Sequence, residues 1–149
     1  MKSAGPMAKD GSSTEEPKSR RAEVAKEVIN MTFRDLSIWK KSMDLVDEVY
    51  IMVKKLPKEE TYALSDQIRR AAVSIPSNIA EGFKRNSDRD FIHFLSISNG
   101  SIAELETQIE IAVRQEMISQ DDATKAINLC NETGKMLSSF IGTLKKRLN

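Results

Sequence analysis

The chain has 149 residues, with 23 basic and 22 acidic side chains and a net charge of +1. That length suits one domain, and the few aromatics, six glycines and four prolines favour helices over strands and tight turns. No apolar run approaches the roughly 20 residues that cross a bilayer, the N-terminus lacks the apolar core of a secretory signal, and the single Cys130 has no disulfide partner, so a cytoplasmic protein is expected.

Residues 1–30 are rich in Ser, Gly, Pro, Lys and Glu, the composition of a flexible leader or arm. The first seven residues resemble an expression leader. Residues 20–30 have helical propensity but a thin apolar stripe, so a short helix or an arm is expected there. This segment holds six basic and five acidic groups, leaving 17 of each in residues 31–149. A neutral domain is a poor general binder of nucleic acid. Any such contact must come from local patches, or from a weak patch repeated around an oligomer.

The first helix is expected over residues 36–55. Leu36, Trp39, Met43, Val46, Tyr50 and Val53 recur at helical spacing and read as its core face. Pro57 ends it by pushing the preceding residue out of helical geometry. The second helix spans about 60–83, with Leu64, Ile68, Ala71, Ile75, Ile79 and Phe83 as its stripe. Pro76 lies in its middle, where a proline removes a backbone donor and costs about 3 kcal/mol. The apolar rhythm continues on both sides, so a kink without an end is expected. Ser74, Ser77 and Asn78 stand ready to satisfy the freed backbone groups. Gly82 or Asn86 offers a left-handed stop.

The third helix runs from about Ser87 to Glu116. Ser87 is its cap, and Asp88 and Asp90 suit the positive end of the dipole. Its stripe is Phe91, Phe94, Leu95, Ser98, Ile102, Leu105, Ile109 and Ala112. Gly100 in mid-helix costs about 1 kcal/mol against Ala, which points to close approach of another helix at the kinked part of the second. The fourth helix starts after Ser119, with Ala123, Ala126, Ile127, Cys130, Leu137, Ile141, Leu144 and Leu148 as its face. Lys145, Lys146 and Arg147 suit its negative end and read as a solvated helix end, with nucleic-acid contact as the other reading. Four such helices with short loops make an all-α, antiparallel up-down bundle over residues 31–149.

The first helix carries a second apolar set, Ile38, Leu45, Ile51 and Met52, and the third adds Ile92 and Ile97. A bundle core needs only about a 100° stripe per helix. The surplus is therefore expected to lie exposed on a protomer and to mark an interface, or else to be scattered surface side chains. Arg69, Arg70, Lys84, Arg85 and Arg89 form a basic cluster. It fits either phosphate contact or pairing with acids such as Asp66, Glu81 and Asp88.

Chemistry is sparse. His93 with Asp90 is a lone pair, and one histidine cannot furnish the two Glu-x-x-His motifs of a di-iron bundle. Cys130 reads as a small core residue. No Gly-rich phosphate loop, zinc spacing or hydrolase motif occurs. No catalytic residue, metal, cofactor or small-molecule substrate is expected, and the chain does not read as an enzyme.

Residues 67–82, Gln-Ile-Arg-Arg-Ala-Ala-Val-Ser-Ile-Pro-Ser-Asn-Ile-Ala-Glu-Gly, resemble the signature of the 23S rRNA intervening-sequence proteins, small bacterial four-helix bundles. Residues 33–46 resemble that family's opening helix, and residues 99–108 its third. Ser74, Pro76, Asn78, Glu81 and Gly82 match the signature. They read as a structural motif in which Asn78 bonds freed carbonyls and Glu81 pairs with an arginine, with a binding site as the other reading. The resemblance implies a homopentameric ring, RNA or an RNA-handling protein as partner, and no assigned reaction. A more distant similarity is to the accessory variability determinant protein of diversity-generating retroelements. The function expected is an RNA-associated oligomeric scaffold or adaptor. The alternative is a self-assembly module without nucleic acid.

Overall fold

The computed structural model describes residues 31–60 and 63–149. The expected leader over residues 1–30, with its short helix, lies outside the described residues. A 3-10 turn at Phe33–Asp35 leads into α1 (Ser37–Val53), and a second at Lys58–Glu60 follows Pro57. Then come α2 (Leu64–Phe83), α3 (Asp88–Arg114) and α4 (Gln120–Leu148). Each helix packs on its neighbours in sequence, and α1 closes against α4. This is the neighbour pattern of an up-down bundle. Among the described residues there is no strand.

Local chemistry sets the helix ends. The Ser87 hydroxyl accepts the Asp90 N–H at 3.2 Å, and the Ser119 hydroxyl accepts the Asp122 N–H at 3.0 Å. Both are side-chain N-caps. α3 stops on Glu116, held at φ 59°. The Met117 N–H reaches the Ala112 carbonyl at 2.9 Å and the Glu116 N–H reaches Val113 at 3.0 Å. That pair of bonds is a Schellman stop, with glutamate at the position glycine usually holds. At the far end of the bundle Lys55 bonds Asp122 at 3.0 Å, joining α1 to α4. That hydrogen bond holds the Asp122 carboxyl below its ordinary pKa.

Three expectations are corrected here. α2 begins at Leu64, because residues 58–60 form a separate turn. Gly82 is not a left-handed stop, and nor is Asn86: α2 ends on Lys84 in right-handed geometry, and no described glycine has positive φ. Gly82 instead lets α3 come close, since a Cβ there would lie 2.7 Å from the Phe94 Cβ and 2.9 Å from Phe91 Cδ1. Gly100 does not serve helix contact within the protomer, because a Cβ on it would meet nothing within 4 Å.

α2 runs unbroken through Pro76. Hydroxyl and amide donors cluster around it. Ser77 Oγ donates to Val73 O at 2.8 Å, Asn78 Nδ2 to Ser74 O at 2.8 Å, and Ser74 Oγ to Ala71 O at 2.9 Å. From α3, Ser98 Oγ donates to Ile75 O at 2.8 Å, and the Ser101 hydroxyl is hydrogen-bonded to that of Ser74. Buried polar groups are costly unless bonded, so these serines close the α2–α3 seam without an orphaned hydroxyl.

The core is apolar: Leu45 and Val49 from α1, Ile68, Ile75 and Ile79 from α2, Leu95, Leu105 and Ile109 from α3, and Leu137 from α4 are fully buried. Each large aliphatic side chain so buried is worth about 1.5–3 kcal/mol. The face assigned to α1 is the principal correction. Ile38, Leu45 and Met52, expected as surplus, are buried in the bundle. Met43 and Tyr50, expected in the core, are 37% and 42% exposed, and Trp39 and Val46 are only partly covered. The reason is Ser42, which sits between Ile38 and Leu45 and looks like a break in an apolar stripe. Its hydroxyl donates to the Trp39 carbonyl at 2.7 Å, so it is buried with its bonding capacity met.

Candidate functional site

The basic residues do not form one cluster. Arg70 and Lys84 are separated by about 21 Å of helix at 1.5 Å per residue. Arg69 and Arg70 lie in the first half of α2, where Arg70 pairs with Asp66 at 3.1 Å. Lys84, Arg85 and Arg89 surround the α2–α3 turn. The bundle brings the end of α4 to that turn: Arg147 Nε lies 3.1 Å from Asp88 Oδ2. Lys145 and Lys146 therefore join Lys84, Arg85 and Arg89 at one end of the bundle. Arg85 is held there by Glu81 at 3.3 Å and by the Phe94 ring, 4.7 Å from its guanidinium carbon. Phe91 contacts Phe83 and Phe140 edge to face, with centroids 6.1 and 5.5 Å away, and so braces three helices under this end.

A second surface follows the α1–α2 seam. Trp39, Met43 and Val46 face Val73, Pro76 and Ala80 across a cleft of about 280 Å³. It continues through Val73 into a cleft of about 310 Å³ holding Tyr50, Asp66, Arg69 and Arg70. Tyr50 and Arg69 carry it on into one of about 360 Å³ that includes Lys54 and Lys58. The result is one groove, apolar at one end and basic at the other. Of the expected interface residues, Ile51 and Ile97 are exposed, at 51% and 39%, and Ile92 is partly buried against the core. None of these three lines the groove. The exposed Met43 and Tyr50 were the signal missed, because each fits a core stripe by spacing alone; the exposed Val73 lies opposite the α2 stripe.

The remaining chemistry is muted. Burial pushes the Cys130 thiol up to about 12, with a smaller contribution from Glu106. Among the described residues no three His, Cys, Asp or Glu side chains lie close enough to hold a metal ion. No described helix is long and apolar enough to cross a membrane.

Comparison with known families bears on this arrangement. The family description "23S rRNA-intervening sequence protein" matches residues 34–139, most of the chain. The chain belongs to the 23S rRNA-intervening sequence protein family. The match spans α1, α2 and α3 and stops within α4, before Lys145. The basic end of this 23S rRNA-intervening sequence protein is therefore built partly inside and partly outside the matched region. Among solved structures, the chain is similar to a protein of unknown function from the S23 ribosomal protein family of Bacteroides thetaiotaomicron. The two are 30% identical with a TM-score of 0.65, over 70% of this chain and 97% of that one. No curated protein matches this member of the family.

Proposed function

We propose that this protein is a non-enzymatic, self-associating helical bundle that holds RNA by its phosphates, each protomer contributing one basic end. The observation that carries this reading is the convergence of Lys84, Arg85 and Arg89 with Lys145 and Lys146, fixed by the Arg147–Asp88 pair. Cations on rigid helix ends suit phosphate contact, which positions a nucleic acid without reading its sequence. One such patch on a nearly neutral chain is weak. Self-association through the exposed α1–α2 seam repeats it, and avidity makes up the deficit.

The test is fluorescence anisotropy of a labelled single-stranded RNA and a labelled RNA hairpin across 50–300 mM KCl. Affinity is expected to fall steeply with salt as counterions are released. Arg89→Glu and the double change Lys145→Glu, Lys146→Glu weaken binding and flatten the salt slope. Lys125→Glu, near the opposite end, leaves both unchanged. Absence of salt-dependent binding to either RNA overturns the reading.

A second reading, assembly without nucleic acid, is favoured by one observation: Arg70, Arg85 and Arg147 each already have a carboxylate partner within 3.3 Å. It predicts a stable oligomer whose mass is indifferent to added RNA.

A further inference from the structure

We infer that the basic end of the bundle takes unpaired nucleotides of RNA, with Arg34 and Arg85 as the platforms on which their bases stack. This rests on the phosphate reading above and names the form of RNA that the same end holds.

The cations at this end fall into two kinds. Among the described residues Lys84, Arg89, Lys145 and Lys146 make no ion pair, and so are open to phosphate. Arg85 is different. Glu81 takes an edge of its guanidinium at 3.3 Å, and the Phe94 ring covers it on one side, 4.7 Å from the guanidinium carbon. The side chain is nevertheless 47% exposed. Guanidinium hydrogen bonds run in the plane of the fork, whereas stacking uses its face. The bond to Glu81 therefore fixes the plane of Arg85 without using up the face turned away from Phe94. The exposed His93 ring, 5.5 Å from that of Phe94, extends the flat surface beside it.

A second guanidinium is held in the same manner. Arg34 lies over the Phe33 ring, 4.6 Å from its centroid, and Trp39 braces Phe33 edge to face at 5.4 Å. The antiparallel α1 and α2 put Trp39 across a cleft from Ala80, and the turn at Phe33–Asp35 packs on α2. Arg34, which is exposed, thus comes to the end of the bundle where Lys84 and Arg85 stand.

The two Arg–Phe stacks decide between strand and duplex, which lysines alone do not. Inside a duplex each base has both faces covered by its neighbours. A flat platform finds a free face only where a base is unpaired or at the terminus of a helix. Splayed bases stack on aromatic rings and on guanidinium planes, and such stacking accepts any base, because every base has a π-face. An end built from two backed guanidiniums and a set of free cations suits a single strand, with backbone on the cations and bases on the planes.

The test is fluorescence anisotropy of the full chain with three labelled RNAs of one length: a single strand, its perfect duplex and an abasic strand that keeps the phosphates. The single strand is expected to bind roughly tenfold or more tighter than the abasic strand, and tighter than the duplex. Arg34→Lys with Arg85→Lys keeps both charges and removes both planes. That chain, its folding checked by circular dichroism, is expected to bind single and abasic strands alike. Equal affinity of the wild-type chain for single and abasic strands overturns the inference and leaves the phosphate reading standing. A preference for bases that survives both arginine changes overturns it as well, as does a duplex that binds as tightly as the single strand. Absence of salt-dependent binding to all three RNAs removes the phosphate reading with it.

Discussion

Gly82→Ala is expected to destabilise the bundle, although alanine is the better helix former. The new Cβ would lie 2.7 Å from the Phe94 Cβ and 2.9 Å from Phe91 Cδ1. Carbon atoms pack best at about 3.5–4.0 Å, so the first contact is short by about 1 Å. The Phe94 Cβ is fixed to its backbone and cannot rotate away, so α2 and α3 must part, disturbing the ring contacts of Phe91 with Phe83 and Phe140. Overpacking of this kind costs about 1–3 kcal/mol, against about 1 kcal/mol gained in helix propensity. A net loss of up to about 2 kcal/mol follows. Gly142→Ala is the matched control, because a Cβ there meets nothing within 4 Å. It should raise stability by about 1 kcal/mol. Urea unfolding followed by circular dichroism at one fixed protein concentration gives both values. Midpoints that move in the same direction, or a Gly82→Ala protein as stable as wild type, would refute the argument from close approach.

Further outcomes are expected. Glu116→Gly should raise the urea midpoint by the equivalent of about 1 kcal/mol, since it relieves a side chain at φ 59°. Ser119→Ala should lower it by about 1 kcal/mol, through loss of the cap on Asp122 N–H. Cys130 should resist a thiol reagent at pH 8 in the native protein and react at once in denaturant. Its thiol pKa is about 12 when folded, above the ordinary value of 9.0. The folded state therefore binds the proton more tightly, and stability from this group declines as pH rises from about 9 toward 12. Replacing Cys130 with alanine should flatten that alkaline limb of the stability curve, and an unchanged limb would count against a buried thiol.

Four helices were legible because their signals agreed: Ser87 as a cap, the break at Ser119, Pro57 as a stop, and long stripes on α3 and α4, although Leu148 at the end of α4 is 44% exposed. α1 was the exception. It is apolar around most of its circumference, so spacing fixes a helix without fixing which side faces in. The deciding residue, Ser42, is polar by composition and satisfied by its own backbone, a fact visible only once the hydroxyl has a position. The basic residues failed for a related reason. Lys84 and Lys145 are 61 positions apart in the chain, and only bundle closure brings their ends together. Arg70 and Lys84 looked close in sequence because a helix compresses distance less than the eye does. The glycines were misassigned in opposite senses. Their roles depend on what lies opposite, Phe91 and Phe94 at Gly82 and empty space at Gly100.

An even number of antiparallel helices returns Phe33 and Asn149 to the same end, beside the α2–α3 turn and its lysines. A purification handle fused after Asn149 would therefore crowd the cations proposed to meet RNA. The turn after Arg114 stands about 40 Å away, the length of α3. A probe spliced into residues 115–119 would leave that cationic end unobstructed.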